Sequence, residues 1–121
     1  MTTPLHQMKA EFFKTLSHPT RIRVLELLSE REHSVGELLQ EIEVEASNLS
    51  QQLAVLRRAG LVATRKEGST VHYALVSPQI ADLLAVARSI LTSVLVEQQG
   101  LLRTLRSDAR TIRRDEARRG T

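Results

Sequence analysis

The 121-residue chain contains no cysteine. That excludes disulfides, thiolate metal sites and cysteine nucleophiles in one step. Aromatic residues make up only 2%, namely Phe12, Phe13 and Tyr73. Any core is therefore aliphatic, and single-stranded nucleic acid cannot be gripped by stacking its bases on a row of rings. Proline occurs at three positions and glycine at five, so each is informative as a break. No uninterrupted apolar run reaches the roughly 18 residues of a membrane span, and the N-terminus lacks a signal-peptide pattern. There is no phosphate loop, no nucleophile–base pair and no cluster of carboxylates suited to a pocket. These absences argue against an enzyme and lead us to expect a soluble, cytoplasmic protein of one domain.

What is present is a 41% apolar chain of formal charge +3, and the distribution of that charge matters more than its sum. Residues 103–121 hold seven arginines against Asp108, Asp115 and Glu116, leaving the first 102 residues slightly acidic. Glu26 to Glu45 contains seven glutamates and one arginine, a pattern read as a solvated face. Arg57 to Lys66 contains four basic residues and no acidic one. Only this second patch is suited to phosphate.

Taken in order, Thr3-Pro4 is placed to open a first helix, with Leu5, Met8, Phe12 and Leu16 on one face. Ser17-His18-Pro19 ends it, and a second helix follows from about Thr20 to Ser29. Arg31-Glu32-His33 reads as a connector. Ser34 and Glu37 have capping-box spacing for a third helix, with Val35, Leu38, Leu39 and Ile42 inward. After a turn at Glu43-Val44-Glu45, Leu49, Leu53 and Leu56 mark the buried stripe of a fourth helix, and Gly60 caps its end. Ser47 either caps this helix or lies in its first turn. The period then changes to two over Leu61–Lys66 and Val71–Val76, a hairpin turning at Glu67-Gly68-Ser69-Thr70.

Ser77-Pro78 starts a last helix. In it Ile80, Leu84, Ala87, Leu91, Val94, Gln98, Leu101 and Leu105 alternate at intervals of four and three, a heptad-like seam about 25 residues long. Such a seam is more than a small core can cover, and its simplest partner is a second copy of itself. The body is thus expected over residues 4–106, with residues 107–121 an arginine-rich, disordered tail. The expected class is mainly α with a small β-hairpin.

The third and fourth helices together read as a helix-turn-helix. The fourth presents an uncharged polar face, Ser47, Asn48, Ser50 and Gln51, of the kind that bonds base edges and phosphates. The blocks KTLSHPTRIRVLELL (14–28), SNLSQQLAVLRRAGLV (47–62) and EGSTVHYAL (67–75) resemble, in order and separation, those of the ArsR/SmtB family of bacterial repressors. The resemblance spans roughly residues 5–100. It implies a winged helix-turn-helix and a homodimer through the first and last helices, with Leu5, Met8, Phe12, Leu84, Ala87, Leu91, Val94, Gln98 and Leu101 in the interface. It also implies a reading helix in the major groove of double-stranded DNA and a wing on the flanking backbone. On that footing Asn48 and Gln51 suit bidentate contacts to a base, adenine being the usual choice, and Ser47 and Ser50 suit a base or a phosphate. Arg57, Arg58, Arg65 and Lys66 suit phosphates, with His72 beside them near the wing tip. Glu45 is an unfavourable neighbour for DNA unless turned away.

Members of the family commonly sense a metal, and some similarity to its nickel-linked actinobacterial repressors suggests Ni(II) or Zn(II) as effector. The familiar sites do not carry over. The third helix has Val35, Gly36 and Leu38 where some members have cysteines, and no histidine follows Asp82 on the last helix. The remaining imidazoles, His6, His18, His33 and His72, form no pair at helical spacing and read as surface residues. A site shared between subunits could still bring His6 or His18 near a carboxylate. The alternatives to a self-sufficient repressor are a protein–protein interaction module and an effector-blind DNA-binding subunit signalled through a partner protein.

Overall fold

Each proline in this chain stands at a helix start. A computed structural model describes residues 2–119. In it α1 (Leu5–Leu16) follows Pro4, while α2 (Pro19–Glu30) and α5 (Pro78–Arg119) begin on their prolines, where the missing N–H is no loss. The start of α1 falls one residue later than expected, and Thr3 makes no capping bond to it. His18 caps α2 by accepting the Thr20 N–H on Nδ1 at 3.2 Å. Ser77 Oγ accepts the Gln79 N–H at 3.2 Å at the head of α5.

The capping box of α3 (Val35–Glu41) is formed as expected. Ser34 Oγ accepts the Glu37 N–H at 3.2 Å, and Glu37 Oε1 accepts the Ser34 N–H at 3.1 Å. Arg31 adds a bond to the other Glu37 oxygen at 2.8 Å. The Ser34 N–H first, then Arg31, hold the Glu37 carboxyl at about 2, below its ordinary 4.5. Helix α4 (Ala46–Arg58) ends at Gly60, whose φ of +77° is the left-handed value a side chain disfavours. The Gly60 N–H bonds Arg57 O and the Leu61 N–H bonds Leu56 O, both at 3.0 Å, the paired closure of a Schellman motif.

Strands β2 (Val62–Glu67) and β3 (Thr70–Leu75) pair antiparallel, from Val62 opposite Leu75 to Glu67 opposite Thr70. The two-residue loop is Gly68-Ser69, and only Gly68 has positive φ (+62°), as a type II′ hairpin requires. The expected hairpin is in fact a three-stranded sheet. His33 and Ser34, read as connector and cap, also form β1 (His33–Ser34), pairing with Tyr73 and His72 in the order β1-β3-β2. Two residues carry no legible period, and the pairing exists only because α2 delivers them to the free edge of β3.

The core sits where α2, α3 and α4 meet the root of the sheet. Val24, Leu25, Leu38, Leu49, Leu53 and Leu56 are its fully buried side chains, each stabilising the fold by about 1.5–3 kcal/mol. Val44 plugs the turn between α3 and α4, half-buried against this cluster, and Ile80, Leu83 and Leu84 bring the start of α5 onto it.

The chain divides into two units, Met1–Leu84 and Ala85–Thr121. Helix α5 does not stop where its seam ends at Leu105. It continues to Arg119, because alanine and arginine favour helix and neither glycine nor proline interrupts residues 101–119; Gly120 and Thr121 lie outside the described residues. A further departure concerns apolar length. Within α5 an 18-residue stretch with no more than two charged residues meets the length and composition of a membrane span, which a count of uninterrupted apolar residues misses.

Leu53→Ala is expected to cost about 2–5 kcal/mol. Urea unfolding at fixed protein concentration should show a lower midpoint with an unchanged slope. Because the folded Glu37 carboxyl lies below its unfolded value, its stabilisation is complete above pH 4.5 and is lost as pH falls toward about 2. An NMR titration should place its midpoint there, and Glu37→Gln should remove this part of the acid dependence of stability.

Candidate nucleic-acid interface

Burial of Leu49, Leu53 and Leu56 fixes the rotation of α4 and so decides what faces outward. With 3.6 residues per turn, Ser47, Ser50, Gln51, Ala54 and Arg58 fall on the opposite side, and all are exposed. Glu45 is the N-cap residue and makes no side-chain capping bond. Ser47 is therefore inside the first turn, its hydroxyl not engaged as the helix cap. Glu45 itself remains exposed at the head of the helix.

Asn48 is set differently from the other three polar residues. It lies at the edge of the outward face, half-buried, and its Oδ1 accepts a bond from Gln52 Nε2 at 3.0 Å. Gln52 is 8% exposed, and its Oε1 accepts from Arg21 Nε at 2.8 Å. Arg21 Nη1 also donates to Thr15 O at 3.1 Å, satisfying a carbonyl in the last turn of α1. Neither Gln52 nor Arg21 was singled out from the sequence. The available signal was a glutamine beside a leucine stripe, one turn after an asparagine.

The basic residues divide into free and engaged. Arg57, Arg58 and Lys66 are exposed and make no ion pair among the described residues. Arg65, expected to be available to phosphate, is held by Glu67 and Glu32, each at 3.1 Å. Those carboxylates raise its guanidinium above its ordinary value. His72 is opposite Arg65 in the ladder, with Nε2 at 3.7 Å from Glu67. The wing thus offers Lys66 directly and Arg65 only by exchange of partners.

The four histidines do not assemble into a ligand set. His6 is exposed on α1, His18 uses Nδ1 as a helix cap, and His72 lies beside Glu67. His33, read as a surface residue, is 3% exposed, with Nδ1 at 2.8 Å from Arg31 O; β1 carries it under the sheet edge. Among the described residues no three His, Asp or Glu side chains are gathered for a metal. The described residues of one chain therefore gather no ligand set for Ni(II) or Zn(II).

Of the expected interface residues, Leu5, Met8, Ala87, Leu91, Val94, Gln98 and Leu101 are exposed, whereas Phe12 and Leu84 are half-buried against the chain's own core.

Two helices joined by a tight turn, the second presenting a polar face beside basic residues, and a β-hairpin following it define a winged helix-turn-helix of the DNA-binding kind. The family model for bacterial regulatory proteins of the arsR family matches residues 18–64. The HTH-type transcriptional regulator Rv0081 of Mycobacterium tuberculosis is 58% identical over 105 residues, which cover 86% of this chain and 92% of that protein. Its crystal structure superposes with a TM-score of 0.74 at 59% identity, covering 80% of this chain and 98% of that one. The homodimeric winged helix-turn-helix DNA-binding domain of Mb0332 from Mycobacterium bovis gives a TM-score of 0.68 at 26% identity, over 75% of this chain and 84% of that one. The biofilm growth-associated repressor of Xylella fastidiosa is 45% identical over 75 residues, covering 62% of this chain and 66% of that protein. The chain belongs to the ArsR family. It is a transcriptional regulator with a DNA-binding helix-turn-helix and not an enzyme.

Glu32→Gln is expected to remove one of the two carboxylates that hold Arg65 and to raise affinity for all DNA sequences alike. Arg65→Ala should lower affinity uniformly and reduce the slope of log affinity against log salt by about 0.9. Fluorescence anisotropy across a salt series measures both.

Proposed function

We propose that the chain acts as a homodimeric repressor in the cytoplasm, reading an inverted-repeat operator in double-stranded DNA. The observation that carries this reading is the outward face of α4, where Ser47, Ser50 and Gln51 stand clear of the core beside Arg57 and Arg58. Gln51 offers a donor and an acceptor together to one base, and the serines serve bases or phosphates. Arg57, Arg58 and Lys66 supply sequence-independent attraction to the backbone. The dimer is supported by apolar side chains left exposed on α1 and α5, among them Leu5, Met8, Leu91, Val94 and Leu101. A two-fold pair would place its half-sites one helical turn, about 34–36 Å, or a multiple of that apart. Mb0332 is described as homodimeric and the Xylella relative as a repressor, which supports both parts of the proposal. A Ni(II) or Zn(II) effector would have to be held between subunits, and no step is assigned to it.

Sequencing the DNA that copurifies with the protein from its native cell, with and without Ni(II), Zn(II) and chelator, yields the operator and tests the effector together. On that operator Gln51→Ala should cost roughly 1–3 kcal/mol of discrimination at one base pair per half-site. Undiminished discrimination would remove Gln51 from the reading face. Failure of the purified chain to retain this DNA alone would point to a partner protein.

A further inference from the structure

The bonds joining Arg21, Gln52 and Asn48 have a direction that their first member imposes. A guanidinium only donates, so the group that Gln52 turns to Arg21 Nε, 2.8 Å away, is its oxygen. The nitrogen of the same amide then faces the other way and donates to Asn48 Oδ1 at 3.0 Å. Turning Gln52 over would set its NH2 against the Arg21 N–H. At 8% exposure little water could relieve that clash. Arg21 is itself fixed by the Thr15 carbonyl of α1, at 3.1 Å. An asparagine free on a helix surface can present either end of its amide. Here the oxygen is turned toward the buried glutamine, and both N–H bonds of Asn48 Nδ2 are uncommitted among the described residues.

We infer that Asn48 reads DNA as a hydrogen-bond donor, giving its N–H groups to an acceptor, either a backbone phosphate oxygen or a purine N7 or guanine O6. It does not make the paired donor–acceptor contact to adenine that an unconstrained asparagine makes. Arg21 and Gln52 act as positioning residues that hold the amide in this sense. The inference rests on the DNA-reading function proposed above and specifies its chemistry at one position. It also departs from the sequence expectation, which paired Asn48 with adenine.

The test uses the full-length protein and its copurified operator, substituted one position at a time. A methylphosphonate removes a charged phosphate oxygen, 7-deazaguanine or 7-deazaadenine removes N7, 2-aminopurine in place of guanine removes O6, and purine in place of adenine removes the amino group. Wild type should lose about tenfold in affinity on one of the acceptor removals, and Asn48→Ala should show no such loss. Which removal it is separates phosphate from base as the source of the acceptor. Gln52→Glu places a carboxylate where the Asn48 oxygen now receives a donor, so the Asn48 amide should turn over. The acceptor-dependent loss should then disappear, and where the contacted base is adenine a dependence on its amino group should appear. A purely structural role for Gln52 would instead weaken every DNA equally and overturn its positioning role. An Asn48-dependent loss on removing the amino group in wild type overturns the inference, as does wild-type binding by Asn48→Ala. Failure of the wild type to bind any operator strikes the proposed function itself, a separable result. Circular dichroism of each variant confirms the fold, and Asn48→Ala keeps the test decisive should Gln52→Glu not fold.

Discussion

Most of what this domain presents to a partner follows from one packing constraint, the burial of Leu49, Leu53 and Leu56 against the core that α2 and α3 help to build. These leucines are between 0% and 1% exposed, and advancing α4 by one residue would rotate it by about 100°. Such a rotation would expose the leucines at a cost of about 1.5–3 kcal/mol each and turn Ser47 and Gln51 inward without partners. The reading face is therefore set by hydrophobic burial, although no apolar atom needs to touch DNA. The Arg21–Gln52 bond adds what leucines cannot. Burial fixes the rotation of the helix, while a directional bond fixes which end of an amide faces out.

Electrostatics places the burden of affinity elsewhere. The first 102 residues are slightly acidic, Glu45 stands at the head of α4, and the wing arginine is already engaged by Glu32 and Glu67. Exposed ion pairs of this kind are worth about 0–1 kcal/mol. A phosphate can therefore displace the glutamates from Arg65, but the exchange contributes less than a free cation would. One domain has Arg57, Arg58 and Lys66 as its uncommitted cations near the reading face. With so few, the natural remedy is two domains on one operator, where the second binds at the high effective concentration set by the first.

What the sequence disclosed and what it withheld divide along the range of the interactions. The capping box of Ser34 and Glu37, the left-handed Gly60 and the leucine stripe of α4 depend on residues within a turn or two, and each was legible. Strand β1 was not, because two residues have no period and their partners, Tyr73 and His72, lie far along the chain. The same reason hid the burial of His33. In the candidate site, the outward position of Ser47, Ser50 and Gln51 followed from helical spacing. The engagement of Arg65 did not, since Glu32 lies 33 residues away, nor did the orientation of Asn48, which depends on an arginine 31 residues from Gln52. The continuation of α5 past its seam has a different basis. Loss of an apolar seam removes a partner for a helix, but it does not remove the helical preference of alanine and arginine.

The same distinction bears on α5, whose composition over 18 residues also satisfies a membrane span. A helix surrounded by lipid is apolar on every side, whereas one that packs along a single line is apolar on one. In α5 the seam residues Leu84, Ala87, Leu91, Val94, Gln98, Leu101 and Leu105 follow the four–three alternation. Arg88, Ser89, Thr92, Ser93 and Gln99 lie on the other side, with the exposed Val96 among them. Lipid would leave that polar side unsatisfied, while water accepts it readily. One partner helix would cover the seam and leave the polar side wet. In the homodimer proposed above that partner is a second copy, which would bring the second reading helix that the sparse charge of the first calls for.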